Sequence, residues 1–134
     1  MVPKLRVAVV GGGAAGFFAA FSVVEHHTDA SVVIIEKTSK LLSKVRISGG
    51  GRCNVTNACF SESKLSKSYP RGQKQMKKLF SQFQVRDTVE WFEKRGVNLK
   101  AEVDNRMFPV TDSSSTIINC FLKEAEKKGV EILL

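Results

Sequence analysis

The chain has 134 residues, 43% of them hydrophobic, with 21 Lys and Arg against 13 Asp and Glu for a net charge of +8. That is enough for one ordinary domain with its own core, which excludes a disordered chain. No run approaches the roughly eighteen uninterrupted apolar residues of a membrane span, and Met1-Val2-Pro3-Lys4 leads into a strand pattern without a separate apolar signal segment, so a cytoplasmic protein is expected.

Leu5 to Val10 is apolar apart from Arg6 and reads as a parallel strand buried on both faces. Gly11-Gly12-Gly13-Ala14-Ala15-Gly16 follows and opens a helix from Ala14 to about His27, with small Ala19 and Ala20 expected against the sheet. Three positions of this turn call for glycine: Gly11 for a tight strand-to-helix turn, Gly13 for close approach of backbone to a pyrophosphate, Gly16 for helix packing on the sheet. The free N–H groups and the positive end of the helix dipole would then face the phosphates. Ser31 to Glu36 is the second strand, and Glu36, twenty residues beyond Gly16, is placed to accept hydrogen bonds from an adenosine ribose and to repel a 2′-phosphate. FAD or NAD is therefore expected here, rather than NADP. His26 and His27 read as exposed residues at the helix end, not ligands.

Lys37 to Arg71 reads as a long loop rich in Gly, Ser, Asn and Lys, too long to be idle in a compact domain. Lys64, Lys67, Arg71, Lys74, Lys77 and Lys78 concentrate positive charge in mid-chain and raise a nucleic-acid-binding module as an alternative. With only Tyr69 and Phe80 as interleaved aromatics, a solvated helix face is the preferred reading. Met76, Leu79, Phe80 and Phe83, continued by Val85, Val89 and Phe92, form an apolar stripe of core residues on a helical pair stopped by Lys94-Arg95-Gly96. Val97–Val103 and Arg106–Val110 flank Asp104-Asn105 as a hairpin, with Pro109 limiting the second strand to an edge or its end.

Asp112 is expected to cap the last helix, whose apolar face is Ile118, Phe121, Leu122 and Ala125, and Gly129 stops it before a strand over Val130 to Leu134. That strand has no polar tail after it, so the chain is expected to continue. Cys53, Cys59 and Cys120 form an odd set without C-x-x-C or an accompanying His cluster, which argues against zinc and against a disulfide framework. The order strand, helix, strand, insertion, helix, strand describes an α/β chain: the first half of a doubly wound Rossmann-like sheet with an inserted helical pair and short hairpin. The expected division is a glycine turn at 11–16, an insertion at 37–110, and a returning helix and strand at 111–134.

Within the long loop, Ile47-Ser48-Gly49-Gly50-Gly51-Arg52-Cys53-Asn54-Val55-Thr56-Asn57 resembles the BaiN-like, aminoacetone-oxidase-like family of bacterial FAD-dependent oxidoreductases. The resemblance extends through Tyr69-Pro70-Arg71, Trp91-Phe92-Glu93, Arg106-Met107-Phe108-Pro109-Val110 and Gly129-Val130-Glu131-Ile132. It implies that Gly11, Gly13, Ala14, Ala15 and Gly16 form the pyrophosphate turn of an FAD site, that Glu36 accepts the adenosine ribose, and that Lys37 and Lys44 are nearby cofactor contacts. Gly49, Gly50 and Gly51 would lie on the flavin side with their peptide N–H groups close to ring or phosphate, Arg52 would neutralise anionic charge, and Asn54 and Thr56 would hydrogen-bond.

Leu42 stands where glycine is frequent in that family, and Arg46 where an aliphatic residue is frequent. Members are about three times this long, so the resemblance implies an N-terminal portion of an oxidoreductase for a small organic substrate, inactive alone, with NAD(P)H as a candidate reductant. An NAD-dependent enzyme domain is the alternative that uses the same glycine turn. Cys53 beside Arg52 invites a redox thiol, but a packed loop cysteine is preferred. No catalytic residue is singled out.

Overall fold

The computed structural model describes residues 4–134; Met1, Val2 and Pro3, on which part of the leaderless-start expectation falls, lie outside the described residues. In chain order the elements are β1 (Arg6–Val10), α1 (Ala14–His26), β2 (Ser31–Ile35), α2 (Ser43–Ile47), a 3-10 turn (Ser48–Gly51), β3 (Thr56–Asn57), α3 (Glu62–Ser66), α4 (Gln73–Phe80), α5 (Val85–Glu93), β4 (Leu99–Ala101), β5 (Arg106–Pro109), α6 (Ser114–Lys127) and β6 (Glu131–Leu133).

The Val- and Ile-rich runs extend because β-branched side chains fit a pleated surface. β2 lies between β1 and β6, all parallel, with Ala8 opposite Val33 and Ile34 opposite Ile132. This is the α/β arrangement expected. One expectation is corrected: β1 is not buried on both faces. Val7 and Val9 pack into the core with Val32, Ile34 and Ile132, while Arg6, Ala8 and Val10 face outward, Val10 being 86% exposed. Ile35 and Leu133 are exposed at the same end of the sheet.

The covered face meets α1 and α6. Phe17, Ala20 and Phe21 of α1 are buried; Ala19, expected beside them, is exposed, because the i, i+3, i+4 phase set by Phe17 leaves it off the packed stripe. α6 buries Ile117, Ile118, Phe121 and Ala125. With Phe18, Trp91 and Phe92 these helices form an aromatic core, in which the Phe18 and Trp91 ring centroids are 4.8 Å apart and Trp91 stacks on Phe21 at 5.8 Å. Truncating a buried phenylalanine of this kind costs about 3–5 kcal/mol. Arg95, lying 3.8 Å over the Trp91 ring, ties α5 to the other two helices through Glu25 at 3.3 Å and Glu124 at 2.8 Å, and Lys128 joins both carboxylates.

Ser113, not Asp112, caps α6: its hydroxyl accepts from the Ser115 N–H, whereas Asp112 is in the left-handed region at φ 52° and pairs with Lys100 and Arg52. At the other end Gly129, at φ +66°, turns the chain so that the Val130 N–H donates to the Ala125 carbonyl at 2.9 Å, a Schellman closure.

The insertion is not the uninterrupted loop expected over Lys37–Arg71. It contains two five-residue helices, the 3-10 turn and a two-residue strand, elements too short to imprint a period on the sequence. The helical pair divides at Ser81–Gln84, where the Gln84 N–H donates to Asp87 Oδ2 at 2.8 Å and starts α5 afresh. Of its apolar stripe, Val85 and Phe92 are buried, but Leu79 and Phe83 are 55% and 45% exposed and are not core residues. The hairpin forms as expected and gains β3, giving an antiparallel sheet with β5 central and Pro109 at its end, opposite Leu99. Among the described residues no helix is long and apolar enough to cross a membrane.

Candidate functional site

β1 delivers the chain to Gly11 at the end of the parallel sheet, and the three glycines expected to matter differ in what holds them. Gly11 has φ +111°, a backbone state that side chains rarely tolerate. A Cβ on Gly16 would lie 1.9 Å from the Gly11 carbonyl oxygen, so α1 packs this close only without one. Gly13 has neither constraint: its φ is −92° and nothing of the protein lies within 4 Å of the position a Cβ would take. Gly13 is the N-cap of α1 without a side-chain cap, no acidic residue occupies the first turn, and the N–H groups of Gly13, Ala14 and Ala15 have no acceptor among the described residues. The helix therefore presents unpaired donors and its positive dipole end to open space.

Gly12, which sequence reasoning passed over, is the joint that holds this turn. Its N–H donates to Glu36 Oε2 at 2.9 Å, and its carbonyl accepts from the Leu42 N–H at 2.8 Å. A Cβ there would meet Leu41 Cδ2 at 2.5 Å. Glu36 Oε1 accepts from the Thr38 N–H and hydroxyl. The Gly12 N–H bond, then those of Thr38, hold the Glu36 carboxyl below its ordinary value. It is thus an anion at neutral pH, fixed beside the turn, with Lys37 exposed next to it.

Leu42 starts α2 in the left-handed region, at φ 53° and ψ 32°, a backbone state that glycine adopts more readily than leucine; its side chain is 1% exposed. α2 and the 3-10 turn then wall a cavity of about 430 Å³ against α1, α5 and α6. Ala14 lines it beside the polar residues Lys44, Ser48, Asn54 and Thr88, and Phe18, Phe83 and Phe121 contribute to its apolar wall. The structure therefore brings together Ala14, Lys44 and Asn54 from three segments. The exposed Arg46 belongs to a neighbouring groove on the other side of α2.

The glycine run Gly49–Gly51 divides. Gly49 faces the protein, since a Cβ there would lie 2.7 Å from Phe108 and 2.8 Å from the Asn54 nitrogen; Gly50 and Gly51, at φ +67° and +87°, are open. Arg52 does not fit the role of a free cation. It donates to Glu102 at 2.6 Å and to Asp112 at 3.3 Å while lying 3.9 Å over the Phe108 ring. Its charge is spent within the protein, latching the glycine run to the β4–β5 hairpin. Its partners lie 50 and 60 residues away, so no local signal announced them. Thr56 sits in β3 opposite Met107.

The three cysteines are free thiols. Cys53, at φ 62°, is 5% exposed; burial pushes its thiol up, partly offset by a hydrogen bond with Ser48, which is opposite to what a redox thiolate needs.

The family described as HI0933-like protein Rossmann domain matches residues 5–134. The chain is similar to a 3-dehydro-bile acid delta(4,6)-reductase of Clostridium scindens, 28% identical over 127 residues, which are 95% of this chain and 30% of that protein. It is similar to a ribosomal RNA dihydrouridine synthase of Escherichia coli, 29% identical over 94% of this chain and 30% of that protein. A protein of the same name from Haemophilus influenzae is 25% identical over the same shares. The chain thus spans about 30% of the length of the curated relatives it matches.

Proposed function

The chain belongs to the HI0933-like Rossmann-domain family, and from that premise we propose that it is the N-terminal, FAD-binding portion of a longer flavoprotein oxidoreductase. Gly13 carries this reading. Its conformation is ordinary and its Cβ position empty, so nothing in this chain demands glycine there, whereas a diphosphate seated on the α1 donors would. The residues fit such a group. Gly13, Ala14 and Ala15 would donate to the pyrophosphate through backbone N–H groups. Glu36, already oriented by Gly12 and Thr38, would accept from the ribose and repel a 2′-phosphate.

The cavity beside Ala14, of about 430 Å³, falls in the range of ligand sites and suits a flat, partly apolar ring, with Lys44, Ser48 and Asn54 to orient it. Bound FAD supplies hydride transfer. This chain's residues bind and position. Gly50 and Gly51 are the part of the second glycine run available for close approach; Arg52, through its latch, positions that run rather than neutralising the ligand.

The exposed apolar face at Ala8, Val10, Ile35 and Leu133 supports a continuing protein that covers it, as parallel sheets are ordinarily covered on both faces. The names of the relatives differ in substrate, a bile acid in one and ribosomal RNA in the others, so what they support in common is a redox enzyme rather than a particular substrate. The test is to purify the full-length protein gently and record its visible spectrum. Flavin absorbance, or its restoration by FAD added to apoprotein, is the expected result. A colourless protein that takes up NAD and no flavin would transfer the site to the NAD-dependent alternative, and one that takes up neither would remove the dinucleotide reading.

A further inference from the structure

Between Glu62, the first residue of α3, and Asp87, in the first turn of α5, the chain holds Lys64, Lys67, Arg71, Lys74, Lys77, Lys78 and Arg86 with no Asp or Glu, which leaves the rest of the chain close to neutral. All seven cations are exposed, and none is in an ion pair among the described residues. A helix that is merely solvated usually interleaves both signs; α4 carries Lys74, Lys77 and Lys78 and no acid.

The apolar residues here are also unusual. Met76 and Phe80 of α4 turn inward, Phe80 packing over the Leu65, Val85 and Met107 cluster, which leaves Leu79 as the outward apolar residue of α4, too narrow a face to lie on a membrane. Tyr69 remains 40% exposed with its ring 5.6 Å from that of Phe80, and Phe83 is 45% exposed. Tyr69, Phe80 and Phe83 wall a groove of about 330 Å³ whose opposite side is Asn54 to Asn57. The groove runs into the larger cavity: Asn54, Val55, Phe83 and Thr88 line both.

We propose that this arm is a docking surface for single-stranded RNA, with phosphates on the lysines of α3 and α4 and a base stacked against Tyr69 in the groove. Cations that follow a backbone beside exposed aromatic faces are the shared physics of single-strand binding. The amides of Asn54 and Asn57 and the Thr56 hydroxyl offer the donors and acceptors that base edges and 2′-hydroxyls require. A base in the groove lies next to the cavity proposed for the flavin, and in that respect only the inference rests on the proposed function.

The test measures binding of a fluorescent, unstructured RNA oligonucleotide to the full-length protein by anisotropy across salt concentrations, and FAD affinity in parallel. K74Q/K77Q/K78Q is expected to weaken RNA binding at least about tenfold and to lower the slope of log K against log salt by about 2, at roughly 0.7 for each phosphate no longer neutralised. The charge-matched K4Q/K123Q/K127Q, at exposed lysines elsewhere, is expected to stay within about twofold. Y69A is expected to weaken binding with the salt slope unchanged. FAD affinity is expected to be the same in the K74Q/K77Q/K78Q variant, so loss of the RNA inference and loss of the flavin reading register separately. No RNA binding at low salt, equal losses in both triple variants, or DNA, polyglutamate or anionic vesicles binding as tightly as RNA would each overturn the proposal.

Discussion

Leu42 sets two physical effects against each other at one residue. Its backbone is left-handed and pinned on both sides, its N–H donating to Gly12 at 2.8 Å and its carbonyl accepting from Arg46 at 3.0 Å, so the strain cannot relax. Its side chain is 1% exposed. An L-residue in this conformation costs about 1–2 kcal/mol, whereas cutting a buried leucine to alanine costs about 3–5 kcal/mol. Burial wins, and both Leu42→Ala and Leu42→Gly should destabilise the chain.

The ratio between the two variants is the diagnostic. At an ordinary position glycine falls below alanine by about 0.5–1 kcal/mol of backbone entropy and about 0.8 kcal/mol for the lost methyl. Here relief of the left-handed strain offsets both, so Leu42→Gly should lie within about 0.5 kcal/mol of Leu42→Ala instead of about 1.5 kcal/mol below it. Urea unfolding followed by the fluorescence of Trp91, the only tryptophan, measures both, provided the slope with denaturant is unchanged. A glycine variant about 1.5 kcal/mol or more below the alanine variant would refute the strain; one more stable than the parent would refute the claim that burial outweighs it.

Iodoacetamide at mildly alkaline pH should modify half-buried Cys59 first and leave Cys53 and Cys120, whose thiols burial pushes up, until the chain unfolds; peptide mapping that finds Cys53 modified as fast as Cys59 contradicts this. Carboxylates set the acid limit. The Arg52 hydrogen bond holds Glu102 below its ordinary 4.5, and Glu124 is lowered too, burial raising it but the Arg95 hydrogen bond and charge, with Lys128, outweighing that. Because these folded values lie below the unfolded ones, their stabilisation is complete above the ordinary range and drains as pH falls through the folded values. The urea midpoint should therefore hold steady from neutral pH down to the ordinary range and fall below it, less steeply in Glu124→Gln; an identical profile in that variant would exclude Glu124 as a contributor. Glu36→Ala in the full-length protein should weaken FAD about ten- to a hundredfold, the loss expected when donors lose a charged acceptor, and an unchanged titration would remove Glu36 from the ribose role.

What the sequence made legible followed from local order. The strand, glycine turn, helix, second strand and acid lie within 36 residues, and their periods and spacings carry the geometry directly. Glu36 was readable as a ribose acceptor, but its bond to Gly12 was not, because a string of three glycines does not say which one turns its N–H back to the sheet. The latch of Arg52 escaped for a different reason: Glu102 and Asp112 reach it only after the hairpin folds over the glycine run. The Asp112 cap was a plausible residue one position early, since Asp112 is drawn off by Lys100 and Ser113 is left to meet α6. The helical spacing of Leu79 and Phe83 reads as core, yet α4 ends at Phe80, the stripe does not continue unbroken into α5, and both side chains are exposed. β1 read as buried on both faces because its residues are apolar, and composition alone does not say what covers the second face.

The central claim is that the mouth of α1 is kept open for a diphosphate, and Gly13→Ser tests it most directly. Gly13 has the extended backbone of an N-cap, at φ −92° and ψ −178°, and free space where a hydroxymethyl would project. Serine there caps the helix, so the variant should be as stable as the parent or more so by a few tenths of a kcal/mol, while the full-length protein should lose FAD affinity at least about tenfold because the hydroxyl takes the donors. A stable Gly13→Ser protein that binds FAD as tightly as the parent would contradict the account.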